Sequence, residues 1–592
     1  MEDGNYGGAG DGSIGGNADA KAHPKRLDDE TADYLLQVDS QWDETMEEDE
    51  SQVLVDNVLD EIRNRTASVA CDRRTHAILE KLVFLAPMKT LVSVFDRLGP
   101  YSVFLARNRH SSHVLQAMVA RLCFLLNSEG LGEINEERLS NSVLALVSPI
   151  LREASWLSID LCASHVLRSI FCLLAGLPVV SEKKGKTNVR HQHSVSLTEP
   201  IESLLIPGRF YIDERHCFSV PFIFHDTFIN GLQSLVIPGF GKAGEGGESK
   251  TAKYKHIHSL QGLVEDASGC AVLSLLLRIC NNSAILERGP AMVEQLVRII
   301  LEWPNERNMD IDENDQRGAI FYGISGKRTG SYFLEAVVEC SDLSFLQEVV
   351  EGAIIRSSDE YANDNTANFV LQAVLRRFSN ECKRKAEFLG EYIGAGNSLR
   401  ELDKFQKEIL KDLSRQSETL LNELLVDAVI SSIVESRAGI LVWLIELAGQ
   451  LDQLAIVIGA ENCLKFGFSQ SRVESAENVC SKILDKWTEK GQSLVDIIVE
   501  KLQPSTDAVE SGVGAERDAT KKNKKAAKSS GEAVGNRLGA AQMTCRILGA
   551  IQVLPKQNHD LRTRVFDAIS KLPLDTLMFI SLSGSLILFF IK

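Results

Sequence analysis

Ser331-Tyr332-Phe333-Leu334-Glu335 is followed, 37 residues on, by Asn368-Phe369-Val370-Leu371-Gln372. Both stretches carry one phrase: a small residue, a planar one, two apolar ones, then an acid or amide. Ser112-His113-Val114-Leu115-Gln116 repeats it, and Ser164-His165-Val166-Leu167-Arg168 is a looser copy. On a helix the first and fifth residues of the phrase lie one turn apart on the same face, with the second beside them. The two apolar residues turn inward. The phrase therefore predicts a helix that presents one flat group and two hydrogen-bonding edges.

Taking the second apolar residue as a mark, copies fall at Leu79, Leu115, Leu167, Leu273, Leu334 and Leu371, with weaker ones near Val442 and Met543. The gaps 79–115 and 334–371 are 36 and 37 residues, one helical repeat each. The gaps 167–273, 371–442 and 442–543 correspond to roughly two or three units and predict degenerate repeats with insertions, about ten repeats in all. One degenerate repeat is expected over 209–240, around His225-Asp226-Thr227-Phe228-Ile229-Asn230. Elsewhere apolar residues recur at three- and four-residue spacing, as in Leu79, Leu82, Val83 and Leu85, which is the helical period. The expected fold is all-α, an α-solenoid of helical repeats over 51–585 stacked into a curved superhelix.

Three stretches read as insertions: the polar, basic 181–199, the Gly-rich 239–250, and 504–535 with Lys521-Lys522-Asn523-Lys524-Lys525. Residues 1–50 read as an acidic, Gly-rich disordered tail, although 30–63 also has the spacing of one or two acidic amphipathic helices. The apolar 577–592 reads as a truncated last repeat. Its apolar run is shorter than the roughly 18–20 residues that a spanning helix needs, so no membrane partner is expected.

The net charge of −17 at first argues against a nucleic-acid partner. Yet residues 1–50 hold fifteen Asp/Glu and three Lys/Arg, which leaves only −5 for the rest of the chain. A nearly neutral body is compatible with a local basic surface. The twelve cysteines are scattered, with no C-x-x-C pair. That pattern implies a reducing compartment, cytosol or nucleus, and no metal site. No phosphate-binding loop, H-E-x-x-H or G-x-S-x-G occurs, so neither catalysis nor a cofactor is expected. Gly323-Ile324-Ser325-Gly326 reads as a loop before a helix.

One flat face flanked by two hydrogen-bonding edges is what reading a single-stranded RNA base requires. His113, His165, Tyr332 and Phe369 would each stack a base, worth ~1–3 kcal/mol. Gln116 and Gln372 offer both donor and acceptor, whereas Glu335 only accepts and favours a donor-rich edge such as that of guanine. Ser112, Ser164, Ser331 and Asn368 hold the first position, and Arg168 the fifth in its copy. Arg109, Arg168, Lys327 and Arg328 are candidates for phosphate contact or stacking.

These residues resemble the Pumilio (PUF) repeat, a three-helix unit whose second helix carries the base-reading residues. The runs Asn108-Arg109-His110-Ser111-Ser112-His113-Val114-Leu115-Gln116 and Cys162-Ala163-Ser164-His165-Val166-Leu167-Arg168 are most similar to the nucleolar protein 9 family, its divergent nuclear branch. The resemblance implies a uracil-like slot at Asn368 with Gln372 and a guanine-like slot at Ser331 with Glu335. It further implies a nucleolar, monomeric, non-catalytic factor that binds small-subunit pre-rRNA among pre-ribosomal proteins and shields a cleavage site. His76-Ala77-x-x-Glu80, Cys270-Ala271-x-x-Ser274, Gly439-Ile440-x-x-Trp443 and Ala540-Ala541-x-x-Thr544 depart from the pattern. A protein-binding scaffold of the HEAT or armadillo kind, and a cytoplasmic Pumilio-type mRNA repressor, remain open alternatives.

Overall fold

The computed structural model describes residues 23–42, 48–128, 135–177, 219–236, 260–281, 289–301, 311–427 and 438–469, with isolated residues at 429–430, 433, 479 and 482. The chain divides into two units, residues 1–303 and 304–592. The first opens with α1 (Asp29–Gln41) and α2 (Glu48–Glu61). Four three-helix repeats follow. They are α3 (Thr66–Cys71), α4 (His76–Leu85) and α5 (Met88–Leu98); α6 (Ser102–Arg107), α7 (Ser111–Ser128) and α8 (Glu136–Arg152); α9 (Ala154–Leu157), α10 (Ala163–Leu174) and α11 (Phe222–Val236); α12 (Leu260–Glu265), α13 (Ala267–Asn281) and α14 (Gly289–Ile300). The second unit holds α15 (Ile311–Ser325), α16 (Arg328–Cys340) and α17 (Leu343–Val349), then α18 (Ser358–Asn363), α19 (Asn368–Gly394) and α20 (Lys404–Leu424), then α21 (Ala438–Ile458). No strand occurs among the described residues. The fold is an α-solenoid.

Every phrase opens the middle helix of a repeat. Middle helices pack on their successors, α4 on α7, α7 on α10 and α10 on α13 in the first unit, and α16 on α19 on α21 in the second. The apolar pairs Val114–Leu115, Val166–Leu167, Phe333–Leu334 and Val370–Leu371 are all buried between them. Each such side chain contributes about 1.5–3 kcal/mol when removed from water.

The direct contacts α10–α13 and α19–α21 correct the repeat count in two of the long gaps. Among the described residues neither gap holds a further repeat. The segment around His225–Asn230 is the third helix of the third repeat, with Phe224, Phe228 and Leu235 buried against α8 and α10. Phe228 meets Phe171 edge-on at 5.6 Å. The second gap is taken up by the length of α19 and α20, at 27 and 21 residues. Gly323–Ser325 forms the last turn of α15 rather than a loop. The expected insertions at 181–199 and 504–535, the expected repeat at Met543 and the 577–592 end lie outside the described residues, as does 239–250.

The expected tail folds earlier than its composition implies. Asp28 caps α1, accepting from the Thr31 backbone N–H at 2.9 Å and its hydroxyl at 2.7 Å, and Ala32 and Leu35 are fully buried. The acidic sequence hides a small apolar face. One described helix, Gly439–Ile458, is long and apolar enough to cross a membrane. Ile440, Leu441, Leu444, Leu447, Leu451 and Leu454 are buried, and the helix packs on α19 as part of the core.

A small residue precedes each phrase for a steric reason. It sits on the carbonyl six residues back, at the end of the short first helix. Ser111 Oγ donates to Leu105 O at 2.8 Å and Thr75 Oγ1 to Val69 O at 3.0 Å. At Gly330 an added Cβ would lie 2.1 Å from Ile324 O, and at Gly269 2.6 Å from Leu263 O. We expect Gly330→Ala to destabilise the protein by about 1–3 kcal/mol, the usual cost of overpacking. Gly390→Ala, within α19 and with nothing inside 4 Å, should stabilise it by about 0.5–1 kcal/mol. Thermal melts followed by circular dichroism would check both; equal effects at the two glycines would contradict the packing argument.

Candidate functional site

The turn before each phrase aims the middle helix. Asn108 Oδ1 accepts from the backbone N–H of His110 at 2.9 Å and of Ser111 at 3.2 Å. Asp160 does the same for Cys162 and Ala163, Asp266 for Ser268 and Gly269, and Asp364 for Thr366 and Ala367. Each lies four residues before the first phrase residue, so an Asx cap fixes the helix start. Asp72 contributes one such bond, to Arg74 at 2.8 Å. This Asn/Asp spacing is legible in the sequence independently of the phrase; the Ser331 phrase departs from it, with Lys327 at that place and no side-chain cap.

In the second unit, Tyr332 and Phe369 are 47% and 51% exposed. Large aromatic rings left half in water on consecutive packed helices are poor structural choices and good stacking faces. The edge groups beside them are already oriented. Ser331 Oγ lies 3.4 Å from Glu335 Oε1 and 3.2 Å from Thr366 O. Asn368 Nδ2 donates to Asp364 O at 2.8 Å, while Gln372 Nε2 donates to Asn368 Oδ1 at 2.8 Å. The Gln372 amide lies against Gly439 of the next middle helix, where a Cβ would stand 2.4 Å from Gln372 Oε1. Gly439, read from sequence as an incomplete slot, thus makes room for its neighbour's edge group. Lys327 and Arg328 are exposed at the start of α16.

In the first unit, His113 is exposed and His165 half-exposed. Gln116 is buried; its Nε2 donates to Ser112 O at 3.2 Å, and its Oε1 has no hydrogen-bond partner. Ser112 and Ser164 are buried beneath the helix start. Arg109 is exposed with no ion pair among the described residues. Arg168 departs from the expectation of a solvent-facing cation. It is buried, with Nη2 2.6 Å from His165 Nδ1 and Nε 3.4 Å from Ser164 O. A guanidinium only donates, so His165 accepts at Nδ1 and carries its proton on Nε2. Burial first, then the charges of Arg168 and His113, push its pKa down to about 4.

The first repeat, read from sequence as an incomplete set at His76-Ala77-x-x-Glu80, brings titratable groups together. The rings of His76 and His110 lie 4.5 Å apart, tilted by 41°. Burial, then His76, Arg109, Arg73 and His113, lower the pKa of His110. Glu80, one turn after His76, is pushed up to about 7 by burial. The signal was the fifth-position Glu80; the missing planar residue at Ala77 masked it. At the fourth repeat Cys270 and Ser274 are buried with no ring between them. Among the described residues no cluster of His, Cys, Asp and Glu could hold a metal ion. The arrangement can stack planar groups and pair with their edges.

The two perturbed groups set opposite pH windows. His165 resists a proton that the unfolded chain accepts near 6.5, so its contribution is full above 6.5 and lost as pH falls towards 4. Glu80 holds a proton that the unfolded chain releases near 4.5, so its contribution is full below 4.5 and lost as pH rises through 7. We expect Glu80→Gln to remove the decline in melting temperature between pH 5 and 8 and to leave the acid limb unchanged. Histidine-selective NMR should show one ring that does not titrate above pH 5 and that moves towards 6.5 in Arg168→Met. Titration of every histidine near 6.5 would contradict the buried His165–Arg168 contact.

Three comparisons bear on this arrangement. The family described as NOP9-like PUF repeat domain matches residues 65–587. Nucleolar protein 9 of Zygosaccharomyces rouxii is 23% identical over 425 residues, 70% of this chain and 58% of that protein. Nucleolar protein 9 of Arthroderma benhamiae is 20% identical over 388 residues, 60% of this chain and 49% of that protein. The chain thus spans about half the length of the relatives that it matches. Among solved structures, APUM23 with GGAAUUGACGG superimposes with a TM-score of 0.50 at 15% identity, over 94% of this chain and 99% of that one. Repeat architecture, slot geometry and a match over most of the sequence agree: the chain belongs to the NOP9-like PUF repeat domain family.

Proposed function

We propose that this protein is a non-catalytic, single-stranded RNA-binding factor of small-subunit ribosome biogenesis. Its target is pre-rRNA, and it acts sterically, covering a cleavage site until the proper stage. The observation that carries this reading is the pair of exposed rings, Tyr332 and Phe369, each set beside a pre-oriented hydrogen-bonding pair in consecutive repeats. Stacked rings supply affinity, and the Glu335 and Gln372 edges supply selection, guanine-like and uracil-like respectively. His113 and His165 offer further stacking faces, with Ser112, Gln116 and Ser164 at their bases. Arg109, Lys327 and Arg328 are the phosphate contacts; Arg168 positions the His165 ring. Relatives named nucleolar protein 9 support a nucleolar location in the nucleus, and the RNA in the APUM23 structure supports an RNA ligand. Pre-ribosomal proteins are the expected neighbours, with the protein acting as a monomer.

A gel-shift titration tests this, using a single-stranded RNA that spans the end of the small-subunit rRNA and its adjoining spacer. Tyr332→Ala/Phe369→Ala/Gln372→Ala should weaken binding at least tenfold, since each stacked base contributes ~1–3 kcal/mol. A scrambled RNA should bind more weakly than the native one. Absence of binding to either RNA at low salt would reject the reading in favour of a protein-binding scaffold.

A further inference from the structure

A cavity of about 490 Å³ lies outside the candidate slots, at the junction of the first two repeats. Its wall combines Lys25 and Arg26 of the segment before α1, Arg63 and Arg65 of the turn before α3, Arg97 at the end of α5, and Tyr101, with Asp28 the one carboxylate among its lining residues. Five cations thus converge in a chain whose net charge is −17. Their neutralisation is incomplete. Arg65 pairs with Asp28 at 3.0 Å. Arg63 and Arg97 share one carboxylate, Asp60, at 3.8 and 3.7 Å. Lys25 and Arg26 are exposed and form no ion pair among the described residues. Arg97 is the most enclosed, its Nη1 donating to Leu59 O at 2.6 Å. Burial holds this guanidinium below its usual range; Asp60 pulls the other way, and Arg63 adds repulsion. Cations held together against their own repulsion make a focused positive potential, which an anion relieves.

The wall's chemistry narrows the class of anion. Leu27 is buried, so beyond Tyr101 the cavity offers no large apolar anchor of the kind on which protein interfaces depend. Guanidinium forks match phosphate oxygens two at a time, and Lys25 adds a mobile point charge. The volume exceeds that of a single oxyanion and falls within the roughly 300–1,000 Å³ of small-molecule sites. Its position matters as well. Helix α3 packs on both α4 and α7, the middle helices of the first two repeats. The segment carrying Lys25 and Arg26 spans the same two repeats, from the His23–Phe104 ring contact at 4.7 Å to the Arg65–Asp28 pair.

We propose that this cavity binds consecutive phosphodiester groups of a single-stranded RNA as it runs off the first slots of the array. The proposal rests on the RNA-binding reading above, but it concerns the backbone and not the bases. The cations draw in the phosphates whatever the sequence, and Tyr101 faces the sugar or base between them.

The probe is therefore a fluorescent abasic oligonucleotide of six phosphodiesters, titrated by anisotropy against the full chain. The wild type should bind it, more weakly as salt rises. Lys25→Gln/Arg26→Gln/Arg63→Gln removes three exposed cations and keeps the Arg65–Asp28 pair. It should bind at least fivefold more weakly, with the slope of log K against log salt reduced by about 2, near 0.7 per phosphate contact. The Tyr332/Phe369/Gln372 alanine variant should bind the abasic probe as the wild type does. Abasic binding without any preference among RNAs would defeat base reading and leave this site standing. No binding by the wild type, or equal binding by the glutamine variant, overturns the proposal. So does displacement of the probe by a hexaglutamate peptide at equal concentration, which would assign the cavity to an acidic protein segment.

Discussion

Everything exposed on this molecule depends on a contact that is not: the stacking of one middle helix on the next through a pair of apolar residues. Val114–Leu115, Val166–Leu167, Phe333–Leu334 and Val370–Leu371 are buried at successive interfaces within their units. A repeat cannot cover this surface by itself, so its neighbours do so. Close packing leaves the middle helix almost no freedom to rotate, because a rotation of one residue exposes the apolar pair and buries a polar one. The planar residue just before the pair is thereby turned towards solvent, as at His113, Tyr332 and Phe369. A serine, a ring and an amide keep their relative positions because two hydrophobes between them have nowhere else to go.

That constraint is also why so much was legible. Phrase and spacing are local properties of one helix, so Ser331–Glu335 and Asn368–Gln372 announced the fold and the starts of its middle helices. What escaped was non-local. The gap between Leu371 and Val442 invited a hidden repeat, whereas long α19 and α20 fill it. The stretch around Phe228 invited another, whereas its burial against Phe171 makes it a third helix. Arg168 read as a surface cation because nothing in its helix shows that the His165 ring lies over it. The basic cavity joins residues 25–26, 63–65 and 97, three short pieces that no periodicity connects.

Charge gives the same lesson in another form. The acidic opening of the chain looked like a solvated tail. Part of it, where the spacing over 30–63 already read as helical, is a terminal cover for the first repeat, with Asp29 on Arg74, Asp28 on Arg65, and Asp39 on Lys81, whose ammonium also lies 4.7 Å over the Trp42 ring. Exposed pairs of this kind contribute about 0–1 kcal/mol each. They therefore do not hold α1 in place; the buried Leu35 and Ala32 do. The pairs bring three of its carboxylates against cations of the first repeat and so reduce the acid left unpaired there.

Under the RNA-binding reading proposed above, the slots divide affinity from selection. The fifth-position group carries the edge that tells one base from another. Gln116, Arg168 and Glu335 are buried beneath their repeats, while Gln372 is partly exposed, with its amide fixed by Asn368 and confined by Gly439. A base stacked on His113 or His165 meets a flat face and little else, so those repeats favour any planar base. A base stacked on Phe369 meets an amide whose direction is fixed before binding, and a base with the wrong edge leaves that amide or itself unpaired. Unpaired polar groups cost more than paired ones return, so discrimination concentrates where the edge group is both exposed and immobile. Under the RNA-binding reading proposed above, discrimination therefore falls at the Gln372 slot.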